Sequence, residues 1–167
     1  MISLDEITLN KKSSSKHLMK LLNQFGVLVV KDFLDRKKTD NLLQDFENIY
    51  SSGANWTQIT PYSKGRCCRV NRLEMEGKEF PTTSEIFGSV WMNEICNSYL
   101  GNESILNHEI FLVHDVPNSV HVAQDLHHDK IPTLKFFIYL TDTTIDNGSF
   151  YCVPGSHKIT KLNQETN

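Results

Sequence analysis

The chain has 167 residues, 39% of them hydrophobic and 22% charged, with a net charge of -3. Those values describe one globular domain with a sizeable core and exclude a disordered chain. They also exclude nucleic acid as a partner, because that function needs a basic face, and the cluster Lys64, Arg66, Arg69 and Arg72 reads as a solvated loop.

From the start, Met1-Ile2-Ser3-Leu4-Asp5-Glu6 has neither a basic n-region nor an apolar h-region, so no signal peptide is expected. No apolar run reaches bilayer length, which predicts no membrane partner. Ser13-Ser14-Ser15 can cap a helix from about Lys16 to Gln24, with Leu18, Leu21, Leu22 and Phe25 on one face and Gly26 ending it. Val27 to Val30 is a short β-branched strand. Asp35 or Thr39 caps the next helix, whose apolar stripe is Leu42, Leu43, Phe46, Ile49 and Tyr50. Ser51 to Pro81 shows no sustained period and reads as loop, with one short strand around Cys67 to Leu73. Such an insert covers a site or is a plain surface loop. Thr83 or Ser84 caps a third helix that buries Ile86, Phe87, Val90, Trp91, Ile95 and Leu100 and ends at Gly101.

Beyond that point the pattern turns to strands. Ile105 to His114, His121 to Leu126, Leu134 to Thr141 and Ser149 to Val153 are separated by Pro117-Asn118, Pro132 and Asn147-Gly148. Asn147-Gly148 is expected to supply positive φ angles to a hairpin joining the last two. The near-continuous Phe136, Phe137, Ile138 and Leu140 suit a strand covered on both sides. The fold class is therefore α+β: N-terminal helices over residues 1–101 flanking a β core over 102–160, in one domain spanning 1–167. Short strands after helices suggest a cupin-type jelly roll, a partial double-stranded β-helix. Four or five such strands can be found. Cys67, Cys68, Cys96 and Cys152 form no Cys-x-x-Cys pair and fit neither a structural zinc site nor a disulfide framework, so a reduced, cytoplasmic protein is expected.

His127-His128-Asp129 carries the chemistry. Residues two apart in extended backbone share a face, so His127 and Asp129 can bind one metal ion while His128 points away. An imidazole and a carboxylate are two-thirds of the facial triad that leaves open positions on non-haem Fe(II). The bland reading of the same residues is a surface histidine and a turn aspartate before Pro132. His157, the one histidine after this triplet, is the candidate third ligand, although Pro154-Gly155-Ser156 places it in a turn. His108, His114 and His121 read as ordinary histidines.

Gln124, His127, Asp129, the strand Leu134 to Leu140 with Thr141-Asp142, then Asn147-Gly148 and Pro154-Gly155-Ser156-His157-Lys158 resemble the phytanoyl-CoA dioxygenase family. Phe25-Gly26 followed by Val27 to Val30 looks like that family's opening segment. The resemblance implies Fe(II) as cofactor, 2-oxoglutarate as cosubstrate, and hydroxylation of an unidentified small-molecule substrate coupled to decarboxylation of 2-oxoglutarate. It also implies a second ligating histidine and an arginine for the distal carboxylate of 2-oxoglutarate, well downstream of Pro-Gly-Ser-His. Here ten residues follow His157, and Arg72 is the last arginine. By the family pattern the chain holds half of the site and is C-terminally incomplete. Gln124 lies three residues before His127, at the opposite strand parity, and reaches the site only across a bulge. Lys135 or Tyr139 could bind the carboxylate in place of the arginine, and a solvent-facing Lys135 is the default. Two alternatives stay open: a catalytically incomplete fragment, and a metal-binding cupin-like protein without 2-oxoglutarate turnover. Oligomeric state is not legible.

Overall fold

The computed structural model describes residues 2–53, 57–59, 67–75, 80–101, 109–114, 126–129 and 131–159. Elements in order are β1 (Thr8–Asn10), α1 (Ser15–Phe25), β2 (Val29–Lys31), α2 (Arg36–Ser51), β3 (Thr57–Ile59), β4 (Cys67–Asn71), α3 (Arg72–Met75), α4 (Pro81–Phe87), α5 (Val90–Leu100) and β5 (Glu109–Val113). The class is α+β. The described residues form two small sheets and not a jelly roll: β1 pairs parallel with β2, and β3-β4-β5 is antiparallel.

Local chemistry explains most helix ends. Ser14 accepts from the backbone N–H of His17 and starts α1, and Asp35 accepts from that of Lys38 and starts α2. Gly26, at φ +72°, closes α1 by donating its N–H to the Leu22 carbonyl, the left-handed cap that glycine adopts without penalty. The strand expected at Val27 to Val30 is observed at Val29–Lys31. Its partner β1 was not expected.

The single helix expected from Thr83 to Leu100 is two. Gly88 ends α4, and Ser89 caps α5 by accepting from the N–H of Met92. The apolar stripe runs across the break, which is why it reads as one helix. The start of α4 also differs, because Phe80 has no capping side chain. Asp45, from the buried face of α2, supplies the cap instead: its Oδ2 accepts from the Thr83 backbone N–H at 3.0 Å and from the Thr83 hydroxyl at 2.9 Å.

Three apolar clusters hold these pieces. Ile49 of α2 packs on Cys68, Val70, Ile110 and Leu112 of the three-stranded sheet. Leu18, Leu21 and Leu22 of α1 meet Ile95 of α5 and Leu9 of β1. Leu42, Ile86 and Met92 form the third. Phe136 packs on the second and third, joined by Leu134 on one side and by Ile138 and Leu140 on the other.

The segment Leu134 to Leu140 contains no helix, and among the described residues it pairs with no strand. Its burial nonetheless alternates with period two: residues 134, 136, 138 and 140 are half-buried and 135, 137 and 139 exposed. One side lies on the helices, and among the described residues the other side is only partly covered, with Phe137 59% and Tyr139 50% exposed. The arm after it returns alongside, held by side chains. Phe137 and Phe150 rings sit 4.9 Å apart, and Phe150 donates its N–H to the Tyr139 hydroxyl oxygen at 2.9 Å. In the turn between, Gly148 alone has positive φ (+98°), whereas Asn147 contributes its side chain, donating to the Asp142 carbonyl at 3.1 Å. The strand expected at Ile105 to His114 appears as β5, and residues 121–125 of the next lie outside the described set. No helix among the described residues is long and apolar enough to cross a membrane.

Candidate functional site

Asp129 is the best-defined member of the candidate site. The chain bends after it through Pro132, which brings residues 133–135 back toward the carboxylate. The Thr133 hydroxyl donates to Asp129 Oδ2 at 2.7 Å, and Lys135 Nζ lies 2.8 Å from the same oxygen. These contacts hold the Asp129 carboxyl below its ordinary range: the Lys135 hydrogen bond contributes most, burial opposes it, and Thr133 and the charge of His127 add to the lowering. His127 is exposed but near enough to act on Asp129 electrostatically. His128 is exposed as well.

The donor chemistry fits a divalent iron as far as it goes. An imidazole and a carboxylate two residues apart are the kind of pair non-haem Fe(II) takes. Among the described residues no group of three or more His, Cys, Asp or Glu side chains comes close enough to share a metal ion.

His157, the expected third candidate, is not brought to that pair. It sits on the C-terminus of α1, with Nε2 3.3 Å from the Asn23 carbonyl, a contact that requires Nε2 to carry the proton. Two residues earlier, Gly155 donates its N–H to the Phe25 carbonyl at 2.7 Å. A helix end leaves its last carbonyls without intrahelical partners, and Asn23 and Phe25 are two of these. The Pro-Gly-Ser-His turn is thus a cap for the first helix, closing a separation of 134 residues. The His157 ring also lies directly over Gly26: a Cβ there would be 2.3 Å from Nδ1.

Among the expected cosubstrate contacts, Lys135 is engaged by Asp129, Tyr139 accepts from Phe150, and Gln124 lies outside the described residues. Thr133 was missed by sequence reasoning, although a hydroxyl four residues after the aspartate and just past Pro132 was the available signal. Arg69 lies in β4, where a short strand around Cys67 to Leu73 was expected, and Arg72 begins α3, so neither belongs to the solvated loop cluster in which it was also placed. Arg69 stacks over Phe111 and lies 3.7 Å from Glu109. An open groove of about 320 Å³, lined by Thr8, Leu9, Asn10, Ser13, His17, Lys31 and Asp32, involves none of the candidate residues.

The chain belongs to the phytanoyl-CoA dioxygenase (PhyH) family, whose model matches residues 22–166. A similar curated protein is Dioxygenase andF of Emericella variicolor, 24% identical over 159 residues, which cover 84% of this chain and 54% of that protein. The chain spans about half the length of the curated relative it matches. No solved structure matches it.

Proposed function

We propose that this protein is an Fe(II)- and 2-oxoglutarate-dependent dioxygenase that hydroxylates a small-molecule substrate, with His127 and Asp129 as two of the metal's protein ligands. One observation carries the reading: in a chain of this family, the aspartate of the His-x-Asp triplet has its carboxylate fixed by the Thr133 hydroxyl at 2.7 Å, two residues from the histidine. When bound, the metal would supply activation of dioxygen coupled to decarboxylation of 2-oxoglutarate. The chain's own contribution is to fix the carboxylate through Thr133 and to present imidazole and carboxylate together. Tyr139, whose oxygen accepts from Phe150, keeps a hydroxyl proton to donate to a cosubstrate carboxylate.

A cupin-type jelly roll is part of the same proposal, supported by the alternating burial of residues 134–140 and by the arm that returns beside them. The exposed aromatic side of these arms is where such a fold would place further strands.

The test is anaerobic titration with Fe(II) and 2-oxoglutarate, reading the weak visible charge-transfer band of a ternary complex. The band is expected for the wild type and absent for Asp129→Ala. Metal binding that depends on Asp129 but gives no band would instead favour a metal-binding cupin-like protein that turns over no 2-oxoglutarate. Metal binding indifferent to both His127 and Asp129 would sink the proposal.

A further inference from the structure

We infer that Lys135 is an internal counter-ion of Asp129 that competes with a metal for its carboxylate, so that metal binding is an exchange of ammonium for metal. The inference rests on the reading of Asp129 as a ligand, and it assigns Lys135 a positioning role that differs from holding a cosubstrate. A carboxylate oxygen has two lone-pair sites, and on Asp129 Oδ2 these meet the Thr133 hydroxyl and the Lys135 ammonium. An incoming dication must either displace the ammonium from that oxygen or bind beside it against like-charge repulsion. Both routes make Lys135 a competitor of the metal. Thr133 is different: a neutral hydroxyl can stay on the carboxylate and orient it while a metal binds, as partners of metal-ligating carboxylates do.

The competition is modest in size. The Lys135 and Asp129 side chains are 52% and 36% exposed, so the pair is solvent-screened and Lys135 can swing away without leaving a buried charge. That favours exchange over a permanent structural ion pair. It also explains how a lysine can stand in the site without blocking it. The ammonium keeps the carboxylate placed, and then leaves.

The experiment is isothermal titration of the 167-residue chain with Co(II), comparing wild type with Lys135→Met, Lys135→Arg, Thr133→Val and Asp129→Asn. Melting curves would confirm that each variant is folded. Removing the competing charge should tighten Co(II) binding about three- to tenfold in Lys135→Met, while Lys135→Arg stays within about twofold of the wild type. Thr133→Val should weaken binding, and Asp129→Asn should abolish it. A lysine that only braced the fold could not raise metal affinity when removed, so the gain separates positioning from a structural role. Equal or weaker binding in Lys135→Met, with binding still lost in Asp129→Asn, overturns the counter-ion and leaves the ligand reading standing. Co(II) binding indifferent to Asp129→Asn, or undetectable in wild type and Lys135→Met alike, overturns both.

Discussion

Replacing Gly26 by alanine is the sharpest test of the cap that His157 makes on α1. Two costs are visible. A left-handed φ of +72° is disfavoured for an L-residue by about 1–2 kcal/mol. The added Cβ would also stand 2.3 Å from Nδ1 and 2.6 Å from Cγ of His157, closer than atoms approach, so the ring must leave. Its departure loses the Nε2 contact to Asn23 and strains the Gly155 bond to Phe25, at about 0.5–1.5 kcal/mol each. The expected loss is about 2–5 kcal/mol, read as a shift of the urea midpoint at constant slope. His157→Ala alone should cost about 1 kcal/mol. In that background the new methyl group meets no ring, and Gly26→Ala should cost only the backbone term. The cycle therefore predicts a coupling of about 1–3 kcal/mol between the two sites. An equal cost of Gly26→Ala with and without His157 would refute the reasoning, because backbone strain alone would then account for it.

Three further outcomes are expected. His127→Ala and Asp129→Ala should each lower affinity for a redox-inert divalent ion in calorimetry, and His128→Ala and His157→Ala should not; an equal loss for His128→Ala would end the argument from strand parity. The Asp129 carboxyl, followed by carbon NMR, should titrate below the ordinary aspartate range and move back up in Lys135→Met. Because its folded-state value is depressed, the stability it contributes is present above the unfolded-state value and lost as pH falls through the folded one. Asp45→Ala should cost about 2–4 kcal/mol in urea unfolding, since it strands the buried N–H and hydroxyl of Thr83, and Asp45→Asn, which keeps an acceptor, should cost clearly less.

What the sequence showed of the fold was what is encoded within a few residues. Ser14, Asp35 and Gly26 announce the ends of α1 and α2 because a cap is a local hydrogen bond made by a recognisable side chain or backbone freedom. The break at Gly88-Ser89 carries the same signals, but Ile86, Phe87, Val90 and Trp91 continue the apolar pattern across it and mask them. β1 is three residues long and has too few positions to show a period. The cap of α4 could not be read at all, because Asp45 lies 38 residues before Thr83. The run Phe136, Phe137, Ile138 and Leu140 misled for a different reason. Continuous apolarity suits two covered faces, whereas the structure covers the even-numbered face and leaves Phe137 outside.

The candidate site divides along the same line. His127 and Asp129 are legible because their spacing is the period of extended chain, and spacing is local. His157 is legible only as part of a turn; that the turn serves α1, at the far end of the sequence, is a tertiary fact. The Pro154-Gly155-Ser156-His157 turn and the Phe25-Gly26 pair of this chain are thereby one device seen from two sides. Gly26 must be glycine because His157 lies on it, and the Asn23 and Phe25 carbonyls are satisfied because the turn arrives there. The same contact places the returning arm, whose Phe150 touches Phe137 and Tyr139, on the strand-like segment that also carries Lys135. The cap on the first helix and the bracing of Asp129 thus belong to one continuous stretch of chain. Loosening it at Gly26 should be felt, more weakly, at Asp129, and a Gly26→Ala variant that melts earlier yet leaves the Asp129 titration unmoved would show that the two are mechanically separate.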